Sequence, residues 1–295
     1  MSNNLPPPLP EDASINAEYD PERRVGSRQP FIDWYVRESA LARERLECRL
    51  DVPYGPTPAE TLDLFPSSEP GSPVLLYIHG GYWRALSSKQ FSFVAGGLVP
   101  HGVTVAVMDY ALCPSVTIAD ITRQSHAAVA WLAENARRFS ADPGRLYVAG
   151  HSAGGQQVGM LLSGEGGTAA VRGAGTGTLH GTGTLRGGIT ISGLFDLRPL
   201  RHSWLQPTLQ LTESACAEQS PLLHIPRQAP PLLVCVGSEE SAAFIGQSQS
   251  YHAAWRAAGL AGRYYEQPGA NHYTAVHGLA DRASPLAQMI AEFLR

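Results

Sequence analysis

The chain has 295 residues, 43% of them hydrophobic, which is enough to bury the core of one large α/β domain or two small ones. Its net charge of −4 provides no basic surface for nucleic acid or for an anionic membrane. No apolar run reaches the length of a transmembrane helix, about eighteen residues. The four cysteines are far apart, which predicts reduced thiols in a cytoplasmic protein, with neither a disulfide framework nor a zinc site.

Residues 1–28 are polar and rich in proline, without the apolar core of a signal peptide, and we expect a loosely ordered arm. Residues 29–295 are predicted to form a single domain. Its first helix is amphipathic and covers Phe31–Arg49. Polar and apolar residues then alternate in Cys48–Val52 and in Thr61–Phe65, which predicts a β-hairpin entering a sheet.

Continuous apolar runs next predict strands that are buried on both faces. Helical patterns separate these runs, so the sequence predicts an α/β fold with a mostly parallel, twisted sheet and helices on both faces. The predicted strands are Val74–Ile78, Val103–Met108, Leu146–Ala149, Gly188–Ser192, Leu232–Val236 and Arg263–Glu266. Helices are predicted up to about Leu98, over Ile118–Phe139, directly after Gly154, over Phe244–Ala258 and over Ser284–Leu294.

Two stretches interrupt this alternation. Residues 163–188 are rich in glycine and threonine and contain a tandem hexapeptide, Gly175–His180 and Gly181–Arg186. We expect a flexible surface insertion there, because little in it can be buried. Residues 198–231 contain prolines and short helical pieces, and we expect a small cap over the mouth of the sheet.

The pentapeptide Gly150–Gly154 follows one predicted strand and precedes a helix. In that context a Gly-x-Ser-x-Gly pattern predicts a nucleophile elbow with Ser152 at its tip. The flanking glycines remove side chains that would clash on a strained turn. A chance glycine-rich turn is the alternative in a chain with 30 glycines, and the preceding strand favours the elbow.

A serine hydroxyl needs a base to become a nucleophile near neutral pH. His272 follows a strand and the turn-rich segment before it, so its imidazole can project over Ser152. His277 comes about one helical turn later and is predicted to be structural. We therefore assign the general base to His272.

A carboxylate must fix the tautomer of this histidine. Glu240, Glu239 and Asp196 each stand just past a strand end, and all three are candidates. Glu240 is favoured because it lies three residues beyond Gly237, where a helix can begin at Ser241. Asp196 also fits a helix cap. The chain order of serine, acid and histidine is typical of the α/β-hydrolase fold.

The oxyanion of an acyl-transfer reaction needs preorganised N–H donors. The backbone N–H of Ala153, directly after Ser152, is one candidate. The others are the N–H groups of Gly81 and Tyr82, in the glycine loop after the first buried strand. Tyr82 and Trp83 are also predicted to contact an aromatic or acyl substrate, with ordinary loop packing as the alternative for Trp83.

These motifs resemble the α/β-hydrolase superfamily and, within it, the kynurenine formamidase (arylformamidase) group, close to the hormone-sensitive-lipase-like esterases. The resemblance implies metal-free, cofactor-free hydrolysis of N-formyl-L-kynurenine to kynurenine and formate in tryptophan breakdown. The glycine-threonine insertion and a glutamate where aspartate is common depart from the superfamily pattern. The resembling segments are His79–Trp83, Gly150–Gly155, Ser192–Leu197, Val236–Ser241 and Asn271–Thr274.

The sequence thus predicts a serine hydrolase that cleaves a small ester or aryl formamide through an acyl-enzyme. A short-chain carboxylesterase of broad range is the first alternative, and a non-catalytic binding protein on the same fold is the second. The expected partner is a small-molecule substrate, with no nucleic acid, no membrane and no metal. The oligomeric state stays open, with a homodimer among the options. His79 and His151 are expected to be structural.

Overall fold

The computed structural model describes residues 12–163 and 185–295. Within them the strands are β1 (Arg49–Pro53), β2 (Thr61–Phe65), β3 (Ser72–Ile78), β4 (Thr104–Met108), β5 (Ala141–His151), β6 (Leu185–Ile191), β7 (Leu232–Gly237) and β8 (Gly262–Gln267). They form one sheet in the order β1-β2-β4-β3-β5-β6-β7-β8. β1 and β2 pair antiparallel with each other, β2 pairs antiparallel with β4, and the pairs from β4 to β8 are parallel.

Helices cover both faces of this sheet. They are α1 (Ala13–Tyr19), α2 (Pro21–Val25), α3 (Gln29–Arg45), α4 (Phe93–Leu98), α5 (Ile118–Asn135), α6 (Ala153–Leu162), α7 (Gln206–Leu209), α8 (Glu213–Glu218), α9 (Ala242–Ala257) and α10 (Pro285–Phe293). Short 3-10 helices lie at Ser88–Gln90, Val99–His101, Ala136–Phe139, Arg198–His202, Pro221–Leu223 and Thr274–Ala280. In the part of the chain that the structure describes, no helix is long and apolar enough to cross a membrane.

The central strands are buried on both faces, as their apolar runs predict. Every residue of β3 is buried. Leu75 and Tyr77 belong to one hydrophobic core, and Leu76 and Ile78 belong to the core on the other face. This alternation is the period of two along a strand, applied to a sheet that is covered on both sides. The predicted α/β fold with a mostly parallel sheet is confirmed.

Residues 12–28 differ from the loosely ordered arm expected for residues 1–28, of which 1–11 lie outside the described residues. Residues 13–25 form α1 and α2, and the side chains of Asp12 and Asp20 cap their first turns. The backbone N–H of Trp204 donates to Asn16 Oδ1 over 2.7 Å, and that of Ala243 donates to Glu18 Oε2 over 2.8 Å. The polar residues that suggested a loose arm therefore act as helix caps and as acceptors for distant backbone groups.

The predicted insertion at 163–188 lies mostly outside the described residues, including the first hexapeptide and most of the second. Within it β6 already begins at Leu185, three residues before the predicted strand. In the predicted cap at 198–231, α7 and α8 lie between two short 3-10 helices.

Gly97 sets the spacing between α4 and the 3-10 helix at Thr274–Ala280. A Cβ at Gly97 would overlap the carbonyl of Leu279 and press on the Ala287 side chain. We expect Gly97→Ala to lower the free energy of unfolding by about 2 kcal/mol, because an overpacked contact strains the backbone. Thermal or urea unfolding of the variant measures this change.

Gly246→Ala is the matched control for this prediction. Gly246 lies inside α9, and nothing lies within 4 Å of the position its Cβ would take. The same substitution should therefore stabilise the protein, by about 1 kcal/mol, through helix propensity alone. Equal effects of the two substitutions would contradict the proposed spacing.

Candidate active site

Ser152 lies on a strained turn between β5 and α6. Its φ is 54° and its ψ is −116°, and only 2% of the residue is exposed. A Cβ at Gly150 would overlap the carbonyl of Gly154, and a Cβ at Gly154 would overlap the carbonyl of Ile78. Both glycines are thus required by close backbone approach, and the turn has the geometry of a nucleophile elbow.

Three side chains form one hydrogen-bonded chain at this turn. His272 Nε2 lies 3.1 Å from Ser152 Oγ, and His272 Nδ1 lies 2.6 Å from Glu240 Oε2. All three residues are buried. This is the arrangement in which a histidine takes the proton of a serine while a carboxylate stabilises the resulting imidazolium.

The carboxylate of Glu240 has further partners. Its Oε1 accepts hydrogen bonds from Ser192 Oγ over 2.5 Å and from the backbone N–H of Gly237 over 2.8 Å. These donors satisfy a carboxylate that burial would otherwise penalise. Sequence reasoning did not single out Ser192, whose position after β6 was the available signal.

The other acid candidates are not brought to His272. Glu239 is exposed to solvent. Asp196 accepts two hydrogen bonds from the guanidinium of Arg198 at 2.7 and 2.9 Å. Of the three carboxylates that the sequence left open, Glu240 is the one that the structure places against the histidine.

The neighbouring histidines have structural contacts. The ring Nε2 of His151 lies 2.9 Å from the carbonyl of His272, which fixes the loop that carries His272. Burial, together with the nearby His272, holds the pKa of His151 well below 6.5, so this ring is neutral. His277 stacks on Trp34 with ring centres 3.7 Å apart, and burial lowers its pKa to about 4.

The glycine loop after β3 lies against the elbow. A Cβ at Gly80 would come within 3.1 Å of Ser152 Cβ. Gly81 and Tyr82 have φ values of 117° and 51°. Among the described residues, the backbone N–H groups of Gly81, Tyr82 and Ala153 have no hydrogen-bond acceptor. These three groups are therefore free to bind an oxyanion beside the serine.

His79 holds this loop from behind. Its Nδ1 lies 2.6 Å from the carbonyl of Gly80, and its ring stacks on that of Tyr110 with centres 4.2 Å apart. The Tyr110 hydroxyl donates to the carbonyl of His79 over 2.9 Å. His79 is fully buried, so its contacts are those of a structural residue.

Ser152 and His272 open into a cavity of about 180 Å³. Tyr82 lines this cavity, and its hydroxyl donates to the carbonyl of Tyr19 over 2.6 Å. Part of the wall comes from the beginning of the chain, which sequence reasoning missed: Asp20, Pro21, Glu22, Arg28, Gln29 and Ile32. The aspartate-proline pair at the start of α2 was a local signal for a helix there.

Comparisons with known proteins agree with this geometry. A family model described as the α/β hydrolase fold matches residues 75–176. Kynurenine formamidase of Danio rerio is 27% identical over 86% of this chain and 84% of its own length. Esterase LipC of Mycobacterium tuberculosis is 27% identical over 89% of this chain and 70% of its own length.

A crystal structure from Silicibacter sp. tm1040, provisionally assigned as a thioesterase, superposes with a TM-score of 0.79 at 27% identity. The match covers 95% of this chain and 99% of that one. The chain has the α/β-hydrolase fold. It is similar to kynurenine formamidases and to esterases over most of its length.

In this fold the predicted substrate contact of Trp83 is wrong. Trp83 is fully buried, does not line the cavity, and donates from Nε1 to Gln156 Oε1 over 3.1 Å. Its φ is 56°, and its ring centre lies 6.3 Å from that of Tyr82. Tyr82 lies at the cavity, and Trp83 packs in the core. Ordinary packing was the alternative for Trp83.

Glu240→Gln should lower kcat for p-nitrophenyl acetate by about 10³-fold, because a neutral amide neither fixes the histidine tautomer nor stabilises the imidazolium. Steady-state kinetics measure this loss of kcat. Glu239→Gln is the matched control, since the neighbouring carboxylate is exposed, and we expect a change of less than about twofold. Comparable losses in the two variants would contradict the assignment of Glu240.

Proposed function

We propose that this protein is a serine hydrolase that cleaves a small ester or aryl formamide through an acyl-enzyme. The observation that carries the proposal is the hydrogen-bonded chain from Glu240 through His272 to Ser152. It ends in a cavity beside three unpaired backbone N–H groups of the described residues. A nucleophile, a base, an acid and oxyanion donors are the complete set that acyl transfer requires.

In the first half of the reaction, Ser152 Oγ attacks the carbonyl carbon and passes its proton to His272 Nε2. The carbonyl oxygen becomes an oxyanion, which the N–H groups of Gly81, Tyr82 and Ala153 stabilise. When the oxyanion collapses, the bond to the alcohol or amine breaks. The leaving group takes the proton from His272, and the acyl group stays on Ser152.

In the second half, water attacks the acyl-enzyme. His272 accepts a proton from the water and returns it to Ser152 Oγ as the ester bond breaks. The acid is released, and for a formamide that acid is formate. Glu240 remains ionised throughout and stabilises the histidine in its charged form.

An aryl formamide is the substrate class that we favour, with N-formylkynurenine and its products kynurenine and formate as the specific case. The likeness to kynurenine formamidase over 86% of the chain supports it. The aromatic rings of Tyr82 and Trp204 both line the small cavity and meet edge to face, 5.8 Å apart. Such a wall suits an aromatic substrate.

A short-chain carboxylesterase of broad range is the second candidate. Its support is the likeness to Esterase LipC over 89% of the chain. The two candidates use the same serine, base and oxyanion donors, so they differ only in the group that the cavity accepts.

We infer a cytoplasmic location from the cysteines. Cys48, Cys113, Cys216 and Cys235 are all free thiols. Burial raises the pKa of the Cys235 thiol to about 12 and those of Cys113 and Cys216 to about 11. The three buried cysteines are unreactive packing elements, which fits a reducing compartment.

Ser152→Ala should abolish nearly all turnover of p-nitrophenyl acetate, because the variant has no nucleophile to form the acyl-enzyme. It should also abolish covalent labelling by a fluorophosphonate probe, measured by intact-mass spectrometry. A wild-type protein that the probe does not label would instead support a non-catalytic binding protein.

A substrate panel separates the two catalytic candidates. We expect kcat/KM for N-formylkynurenine to exceed that for p-nitrophenyl acetate, butyrate and hexanoate by at least about tenfold, corrected for uncatalysed hydrolysis. A preference for the esters, with slow formamide turnover, would favour the carboxylesterase. Both candidates use Ser152, so the result of this panel decides between the substrates and leaves the proposed mechanism unchanged.

A further inference from the structure

Arg84 stands at the wall of the active-site cavity, on the turn that presents the oxyanion donors. Its backbone N–H donates to the carbonyl of Gly81 over 3.1 Å. Its guanidinium lies 4.9 Å from the ring centre of Trp204, which also lines the cavity. One arm, Nη1, donates to Thr208 Oγ1 over 3.3 Å. The side chain is therefore held at the cavity by stacking and by one hydrogen bond.

The other charged groups at the cavity are already paired. Arg28 Nε lies 3.8 Å from Glu22 Oε2, and the backbone N–H of Arg28 donates to Glu22 Oε1. Asp20 caps α2 and lies 3.3 Å from the guanidinium of Arg23. By contrast, no carboxylate of the described residues lies within 4 Å of Arg84.

A stacked guanidinium keeps its hydrogen-bonding edge free, and that planar fork matches the two oxygens of a carboxylate. Trp204 supplies the ring face on which this guanidinium lies. The bond to Thr208 uses only one of the five N–H donors of Arg84. The guanidinium thus has more donors than the described residues use.

We propose that Arg84, stacked on Trp204, is a specificity-determining residue that binds a carboxylate of the substrate. The inference rests on the proposed hydrolysis at Ser152 and adds the charge of the substrate to it. One turn, closed by the bond from Arg84 to Gly81, then fixes two recognition elements. Its backbone binds the reacting carbonyl oxygen, and its arginine binds an anionic group several bonds away.

Substrate pairs of matched length, one member with a carboxylate and the other with an uncharged group in its place, test this inference. The leaving-group pair is ortho-formamido-phenylpropanoate and its uncharged carboxamide. The acyl-group pair is the mono-p-nitrophenyl ester of adipic acid and p-nitrophenyl hexanoate. In Arg84→Gln, the charged-to-neutral ratio of kcat/KM should fall by about tenfold in one pair, because a charge-assisted hydrogen bond is lost. The pair that responds shows which side of the scissile bond carries the carboxylate.

Arg28→Gln is the matched control. It removes a positive charge from the same cavity, but that charge is already paired with Glu22. Its ratios should stay within about twofold of wild type. Unchanged ratios in Arg84→Gln, or equal falls in both variants, would overturn the inference. Arg84→Met tests the same loss with a different side chain if the glutamine variant does not fold.

A binding measurement keeps this test independent of turnover. Titration calorimetry measures the Kd of ortho-amino-phenylpropanoate and of its uncharged carboxamide. For the wild-type protein we expect the Kd of the carboxylate to be about tenfold lower than that of the carboxamide. In Arg84→Gln we expect the two Kd values to be equal. If this holds while no substrate is cleaved, the carboxylate site stands and the proposed hydrolysis fails. If binding does not distinguish the charged ligand, the inference fails whatever the hydrolytic activity.

Discussion

The rest of the site depends on the close packing of three backbones beneath Ser152. The chain reverses from β5 into α6 at a φ of 54°, a conformation that costs an L residue about 1–3 kcal/mol. It persists because Gly154 lies directly against the carbonyl of Ile78, and Gly155 against Gly193. The N–H of Ser152 also donates to the carbonyl of Ile191 over 2.9 Å. The sheet itself therefore fixes the position of Ser152.

The strand order then determines which groups reach that serine. β3, β5, β6 and β7 are neighbours in the sheet, so the loops at their carboxyl ends converge. The glycine loop follows β3, Ser192 follows β6, and Glu240 follows β7. Ser192 and the backbone of Gly237 together hold one oxygen of Glu240, and the other oxygen is left for His272. One buried carboxylate thus links the ends of two strands to His272.

Sequence reasoning succeeded where the information is local. The apolar runs and the glycines around Ser152 each lie within a few residues. It failed where distant contacts decide the outcome. Asn16 and Trp204 are 188 residues apart, and Glu18 and Ala243 are 225 apart, so no local pattern indicates that they meet. The choice between Tyr82 and Trp83 at the cavity likewise depended on tertiary packing.

A hydrogen bond from Tyr82 connects the beginning of the chain to the turn beside Ser152. The Tyr82 hydroxyl donates to the carbonyl of Tyr19, the last residue of α1. Burial raises the pKa of Tyr82 well above its usual value, so this hydroxyl stays a donor. The backbone N–H of the same residue is one of the unpaired groups beside Ser152. Because one residue bonds α1 with its side chain and forms the turn beside Ser152 with its backbone, docking of the N-terminal helices and the geometry of the turn stabilise each other.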